Sequence, residues 1–490
     1  MSAGRWFATV VVLAAVGGLL WWWPDPSPVR EVDVPRPAVP VVVGATGGSW
    51  FCAARDTGVE GFAHTVFITS LSEEDLEVRA EAFGDEGSVG TTTIPVAAGS
   101  STALDVATIG GPAASVMLET SGPAVVEHRL SHPKGADQAP CATLSSDEWH
   151  FPVVATTRDA TARLTVFNPF ASDAAVDVEV AFDTGVVRVP TALSGIVVPA
   201  GTSKVVELGD AVQRRGQFSA TVQTRSGRVV AELAQSFDDA DSSLPVSGVR
   251  LEGGSRAAAE RWSFAGGFTD PSASEQLVVL NPDDSTAEVL VQVIPFGGVD
   301  AMPEPFTLKV PARRYGLIDL TKESRIAQVG YHAIEVEALD GAEVVAARVL
   351  DVSASVEVPE MPLRVQMERG TSGSIGSVAA APRWVAGGFT SEPGAVALMI
   401  HNPGTGIAVA EVSSPGSDTD PVRLEVPPGD SQVVTGDTLA PTESTWSAEV
   451  TTEGAAVVVE QVQVFATETD FTWQPAVPVV ARISELERLG

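Results

Sequence analysis

The amino-acid sequence predicts an all-β chain: an N-terminal single transmembrane helix, a Pro-rich linker, then about four tandem immunoglobulin-like β-sandwich repeats. Three observations carry this prediction. Val, Ala, Thr and Gly dominate long stretches of the 490 residues, and only 6% are aromatic, which suits packed strands better than a helical bundle. Short apolar runs recur about every ten residues with Gly, Asp, Ser and Pro between them, the spacing of sandwich strands. The phrase LTVFNP, ending at Pro169, returns as LVVLNP ending at Pro282 and LMIHNP ending at Pro403, and it holds all three asparagines of the chain. That recurrence marks an internal repeat.

Length and charge set the outer bounds. A chain this long divides into roughly three or four cores of about 100–150 residues. With 30 basic against 63 acidic residues, the net charge of −33 argues against nucleic acid and anionic lipid surfaces as partners.

In chain order, residues 1–5 are expected in the cytoplasm and 6–23 as an uncleaved signal anchor. Trp6 to Trp23 would span about 27 Å as a helix, close to the bilayer core. Arg5 holds the short end inside, and Trp21, Trp22 and Trp23 suit the outer interface. The same tryptophans occupy the place where a small-residue cleavage pattern should lie. Residues 24–48, with prolines at 24, 26, 28, 35, 37 and 40, read as a semi-rigid spacer. The bulk of the chain is then extracytoplasmic, tethered to the cell membrane through residues 6–23.

Four copies follow, at 49–145, 146–248, 249–360 and 383–480, with 361–382 as an insert or linker and 481–490 as a tail. Each opens on a tryptophan: Trp50, Trp149, Trp262 and Trp384. Asn168-Pro169, Asn281-Pro282 and Asn402-Pro403 begin 19, 19 and 18 residues after the last three. In the first copy, position 69 is expected to stand where the asparagine would be. A Pro/Gly corner and a closing apolar strand complete each copy, giving six or seven strands per unit. The opening tryptophans are expected in the sandwich cores or at their rims.

Asn-Pro has a mechanical reading. Proline keeps the preceding residue extended and lacks the N–H that would continue the ladder, while asparagine can hydrogen-bond the turn that follows. Proline also rules out N-glycosylation at all three. Cys52 and Cys141 bracket the first copy outside any CxxC pattern. Paired, they would close a loop of about 90 residues, nominally worth about 4–5 kcal/mol in the chain-entropy model, and oxidation suits an exported chain.

Catalytic signals are missing. The sequence contains no HExxH, GxSxG, P-loop or dinucleotide fingerprint, so no catalytic, cofactor-binding or metal-binding residue is assigned and no cofactor is expected. His128 and His132, four apart, are weighed as a metal pair and read as surface or rim histidines. The acidic groups Glu73-Glu74-Asp75, Asp238-Asp239 with Asp241, and Asp283-Asp284 do not repeat and lack calcium-loop spacing. They read as solvated turns.

The anchor, the opening Trp50-Phe51-Cys52, a second cysteine just before the next tryptophan and the repeated Trp…Asn-Pro…Pro-Gly strands together resemble a known family. It is an uncharacterised family of actinobacterial envelope proteins, a domain of unknown function, and the likeness extends over nearly all of residues 1–480. The resemblance implies an exported, membrane-tethered, β-rich protein with no assigned activity. It also implies a role beside a multi-pass membrane glycosyltransferase in envelope glycan assembly. The expectation is therefore a non-catalytic protein that acts by binding, as an accessory or scaffold to that machinery or to another envelope protein. The alternative is an ectodomain that binds or processes cell-wall glycan in a groove between sandwiches. Trp446, Trp473 and the opening tryptophans exposed along such a groove would favour the alternative.

Overall fold

Alternating apolar and polar side chains set one face of each strand against a core, and the result is a fourfold recurrence of one eight-strand unit. The computed structural model describes residues 38–44, 46–55, 62–111, 113–185, 187–239, 246–297, 302–353, 369–390, 392–417, 419–439, 441, 443–465 and 470–481. After β1 (Val42–Val43), the first unit is β2 (Ser49–Cys52), β3 (Ala63–Ser70), β4 (Leu76–Gly84), β5 (Gly87–Val96), β6 (Ser101–Asp105), β7 (Ser115–Thr120), β8 (Ala124–His132) and β9 (Gly135–Pro140). The second is β10 (Glu148–Val154), β11 (Ala160–Asn168), β12 (Ala174–Ala181), β13 (Ile196–Val198), β14 (Thr202–Glu207), β15 (Phe218–Ser226), β16 (Val230–Asp239) and β17 (Val246–Glu252). The third is β18 (Arg261–Phe264), a short β19 (Phe268–Thr269), β20 (Ala273–Asn281), β21 (Ala287–Pro295), β22 (Phe306–Val310), β23 (Arg314–Asp319), β24 (Gly330–Ala338), β25 (Val345–Val352) and β26 (Gly370–Ile375). The fourth is β27 (Arg383–Phe389), β28 (Val396–His401), β29 (Ala408–Ser413), β30 (Val422–Val426), β31 (Ser431–Thr435), β32 (Trp446–Gly454), β33 (Val458–Val464) and β34 (Phe471–Pro475), followed by β35 (Val477–Val480).

Every unit is built the same way. Leaving the extra β19 aside, one sheet has the order first–sixth–third–fourth strand and the other fifth–second–seventh–eighth. The two sheets of each unit enclose one apolar cluster, so four cores match four copies. These pairings depart from the expected immunoglobulin-like order, in which the first strand lies beside the second. Here the first strand pairs with the sixth. The adjacencies become immunoglobulin-like only if the first strand takes the place of the last and the seventh takes the place of the first.

The end of the spacer and the joint before the fourth copy differ from the sequence expectation. The expected anchor at 6–23, most of the spacer and the tail from 482 lie outside the described residues. No helix among the described residues is long and apolar enough to cross a membrane. The end of the spacer is not a free stalk: Ala38 and Val39 join the third core, Val41 the fourth and Val42 the first. Val42 and Val43 also pair in parallel with Val479 and Val480 of β35. The stretch expected as an insert contributes β26, the eighth strand of the third unit.

Eighth strands hold the units together. As sheet edges, β9, β17, β26 and β34 would each present unpaired backbone groups. Instead β9 packs on β17, β17 on β26, β26 on β34, and β34 back on β9. The circuit closes within a single compact unit, Arg36–Gly490.

Candidate functional site

The eighth strands bury a polar junction that short-range sequence patterns do not reveal. Matching the ladders of the four copies places Gly135, Gly248, Gly370 and Asp470 at one equivalent position, each beside the end of its seventh strand. A Cβ on any of the three glycines would run into the Asp470 carboxylate. Asp470 Oδ1 accepts from the Thr371 and Phe471 amides at 3.0 and 2.9 Å, and Oδ2 from Val249 N–H at 3.2 Å. One carboxylate thus satisfies edge amides on three strands. Asp137 does the same between the first two copies, its Oδ2 accepting from Leu251 N–H at 2.8 Å. Burial pushes both acids up, Asp470 well above the ordinary range and Asp137 to about 7.

A second recurrence surrounds this junction. Glu127, Glu232 and Glu460 stand at one register of the seventh strands, opposite Phe67, Thr165 and Met399. The third copy has Ala347 there, opposite Val278. Each glutamate is buried and reaches the backbone just past the first strand of a neighbouring copy, or that strand's end. Glu232 Oε2 accepts from Ala54 N–H at 2.5 Å and Glu460 Oε2 from Gly266 N–H at 3.0 Å, while Gly387 N–H donates to Glu127. Desolvation raises Glu127 to about 8 and also raises Glu460. Glu252, close by, has neither carboxylate oxygen hydrogen-bonded among the described residues, and burial raises it to about 8.

Cations complete the joints. Arg348 Nη1 donates to Glu460 at 3.2 Å, and its guanidinium lies 4.9 Å from the Trp473 ring centroid. Arg129 donates to Gly388 O at 2.7 Å and sits over Phe67 and Phe465. Arg250 pairs with Asp351. Close approach also explains the GG pairs at 266–267 and 387–388. A Cβ at Gly387 would lie 2.8 Å from Glu127 Oε2, and one at Gly266 would lie 2.7 Å from the Trp473 ring.

The residues singled out from sequence are structural. Trp149, Trp262 and Trp384 are buried and donate Nε1–H to Val229, Val344 and Val457 carbonyls at 3.0, 2.7 and 2.8 Å. Trp50, Trp446 and Trp473 are buried as well. Asn168, Asn281 and Asn402 are fully buried, and each donates to the carbonyl four residues on, those of Ser172, Ser285 and Gly406. Each also donates to a carbonyl of the Pro/Gly corner and accepts from the amide two residues on. Pro169, Pro282 and Pro403 follow half-buried. In the first copy the register-equivalent residue is Ser70, not position 69, because Ser70 N–H bonds Ser100 O as Asn402 N–H bonds Asp430 O. The Ser70 hydroxyl likewise accepts from Ser72 N–H at 3.3 Å.

Cys52 and Cys141 form a disulfide with a Cα–Cα distance of 4.7 Å. His128 is buried while His132 lies at the end of β8; four residues apart on one strand they are separated by about 13 Å and form no metal pair. Glu73, Glu74, Asp75, Asp238, Asp283 and Asp284 are exposed, and Asp241 lies outside the described residues.

Sequence reasoning missed the junction acids, although a signal exists. A glutamate follows two apolar residues of the closing strand in three copies, in VVEHRL, VAELAQ and VVEQVQ, and all three glutamates are buried.

Among the described residues, sizeable cavities open at the surface. One of about 540 Å³ lies between the first and second copies, with Trp50, Phe51, Leu144, Phe170 and Arg228 in its walls. Another of about 460 Å³ is lined by Gly44, Leu71, Pro123, Pro382, Arg383 and Val480.

Fold and junction define a class: a multi-sandwich β protein with buried acids at the joints between its copies. The model of a family of unknown function (DUF5719) matches residues 112–245, part of the first copy and most of the second. No curated protein matches. A Thermotoga maritima protein, 1070, aligns at 18% identity over 24% of this chain and 93% of its own, with a TM-score of 0.19. The Anabaena sensory rhodopsin transducer aligns at 15% identity over 18% and 96%, with a TM-score of 0.17. At such scores neither likeness bears on function.

Proposed function

We propose that this is a non-catalytic, membrane-anchored extracytoplasmic protein that acts by binding, as an accessory or scaffold to cell-envelope glycan assembly. The observation that supports it is where the reactive side chains lie. Glu127, Asp137, Glu460 and Asp470 are buried and accept from backbone amides of neighbouring copies, whereas catalytic acids must reach a substrate. The disulfide supports an oxidising compartment, and residues 6–23 supply the tether and a contact surface for a multi-pass membrane glycosyltransferase. Cross-linking the full chain in its own membrane, followed by capture, should recover such an enzyme or another envelope protein. Recovery of neither sinks the reading.

One observation favours the alternative, a glycan-binding ectodomain: the 540 Å³ groove between the first two copies. Against it, the tryptophans that would stack on sugar rings are buried. Titration with cell-wall glycan fragments separates the two readings, since saturable binding abolished by Arg228→Ala supports the groove.

A further inference from the structure

The disulfide does not lie alone. One ring nitrogen of His128 and the sulfurs of Cys52 and Cys141 all fall within 4.8 Å of one another, and all three residues are buried. His128 Nδ1 is 3.0 Å from His64 Nε2, and His128 Nε2 is 3.3 Å from Glu232 Oε2. Cys52, His64, His128, Cys141 and Glu232 are each 0% exposed. Neither His128 Nε2 nor Glu232 Oε1 has a hydrogen-bond partner among the described residues. Two sulfurs, two imidazoles and a carboxylate gathered in a dry pocket is an expensive way to surround a disulfide, because buried polar groups stabilise only when satisfied.

We propose that, in the dithiol form of the chain, Cys52, Cys141 and His128 hold one zinc-class divalent ion, so that the disulfide and the metal site are alternative states of one cluster. Two thiolates balance a dication, whereas adding the Glu232 carboxylate would leave a net buried negative charge. Glu232 then accepts from His128 Nε2–H, the carboxylate–histidine–metal arrangement that fixes a ligand's tautomer.

The exchange balances. A dithiol reductant attacks the Cys52–Cys141 bond, gives up two electrons and becomes a disulfide itself, leaving two thiols on this chain. Each thiol loses its proton to solvent as the ion binds.

The test uses the full chain, reduced under anaerobic conditions with a phosphine and titrated with Co²⁺. The expected result is one Co²⁺ per chain with a thiolate-to-cobalt charge-transfer band, and loss of thiol reactivity toward maleimide on binding. His128→Gln should still form the Cys52–Cys141 bridge on oxidation but bind Co²⁺ at least about tenfold more weakly when reduced. Absence of the charge-transfer band in the reduced wild type, or equal Co²⁺ affinity in H128Q, overturns the proposal.

Discussion

Replacing Glu127 by glutamine should flatten part of the pH dependence of stability, with a sign opposite to that of most carboxylates. Glu127 is buried against Gln461 and Gly387, and desolvation raises it to about 8 from 4.5. An acid raised in the folded state contributes stability that is fully present below its unfolded value and is lost as pH climbs through the folded one. His64 and His150 are shifted downward by burial, so their contribution grows as pH rises and is nearly complete only above about 7.5, adding about 0.4 kcal/mol each between pH 6.5 and 8. The raised acids, with the opposite sign, outweigh the two histidines across the window from pH 6.5 to 8. At pH 7 a group with a folded value near 8 holds about 0.9 proton that the unfolded chain lacks, a slope of about 1.2 kcal/mol per pH unit. Across the window this integrates to about 1.6 kcal/mol, a ceiling because relaxation and water penetration weaken buried-charge penalties. Asp137, at about 7, and Glu252, at about 8, add slopes of the same sign. Denaturant unfolding at several pH values should show the wild type losing stability from pH 6.5 to 8 and E127Q losing less. Glu73→Gln, at an exposed turn, serves as the control. Wild-type stability that rises with pH over this window, or an E127Q slope equal to the wild type's, refutes the reasoning.

Two further perturbations test the joints and the repeat. Gly387→Ala forces a methyl to within 2.8 Å of Glu127 Oε2 and Thr69 Oγ1 and should cost about 1–3 kcal/mol by overpacking; an unchanged denaturation midpoint would remove the close-approach explanation of the GG pair. Asn281→Ala strands the Ser285 and Val310 carbonyls and the Asp283 amide and should cost about 2–3 kcal/mol, whereas Ser70→Ala, losing one long bond to Ser72 N–H, should cost under about 1 kcal/mol. Equal losses in the two variants would argue against the difference in hydrogen bonding between these positions.

What was legible in the sequence follows from which side chains face one way. Strands with one face in a core and one in solvent alternate, as AAVDVEVA of β12 does, and these gave the repeat its visible period. GADQAP of β9 and GTSGSI of β26 show no alternation because nearly every residue is buried on one side or the other. Such strands read as linkers, which is why six or seven strands were expected and eight are present. Tryptophan and asparagine were visible because each makes the same long-range bond in several copies. Glu127, Glu232 and Glu460 were passed over because a charged residue in a strand ordinarily points to water, and only the packing of one copy on another reverses that. The 38–43 segment was read as spacer from its prolines, yet its valines enter three different cores.

Closure of the circuit within one polypeptide explains an asymmetry that identical subunits could not support. A ring of separate identical copies repeats every side chain around its axis. Four glycines at the position shared by Gly135, Gly248, Gly370 and Asp470 would leave the edge amides of Val249 and Thr371 without acceptors, at a cost of about 1–3 kcal/mol each. Four aspartates would place four carboxylates in the space that one fills, where like charges cannot all ionise. A covalent array escapes both outcomes because one copy can carry the acid and three can carry the gap. The same freedom explains why the third copy has Ala347 where the others have glutamate. The second-copy amide of Ala155, beside the end of β10, is satisfied instead by Gln235 of its own copy, at 2.8 Å. Drift between the repeats is therefore division of labour at a shared junction, and a copy excised from the chain should lose the acceptors its neighbours provide.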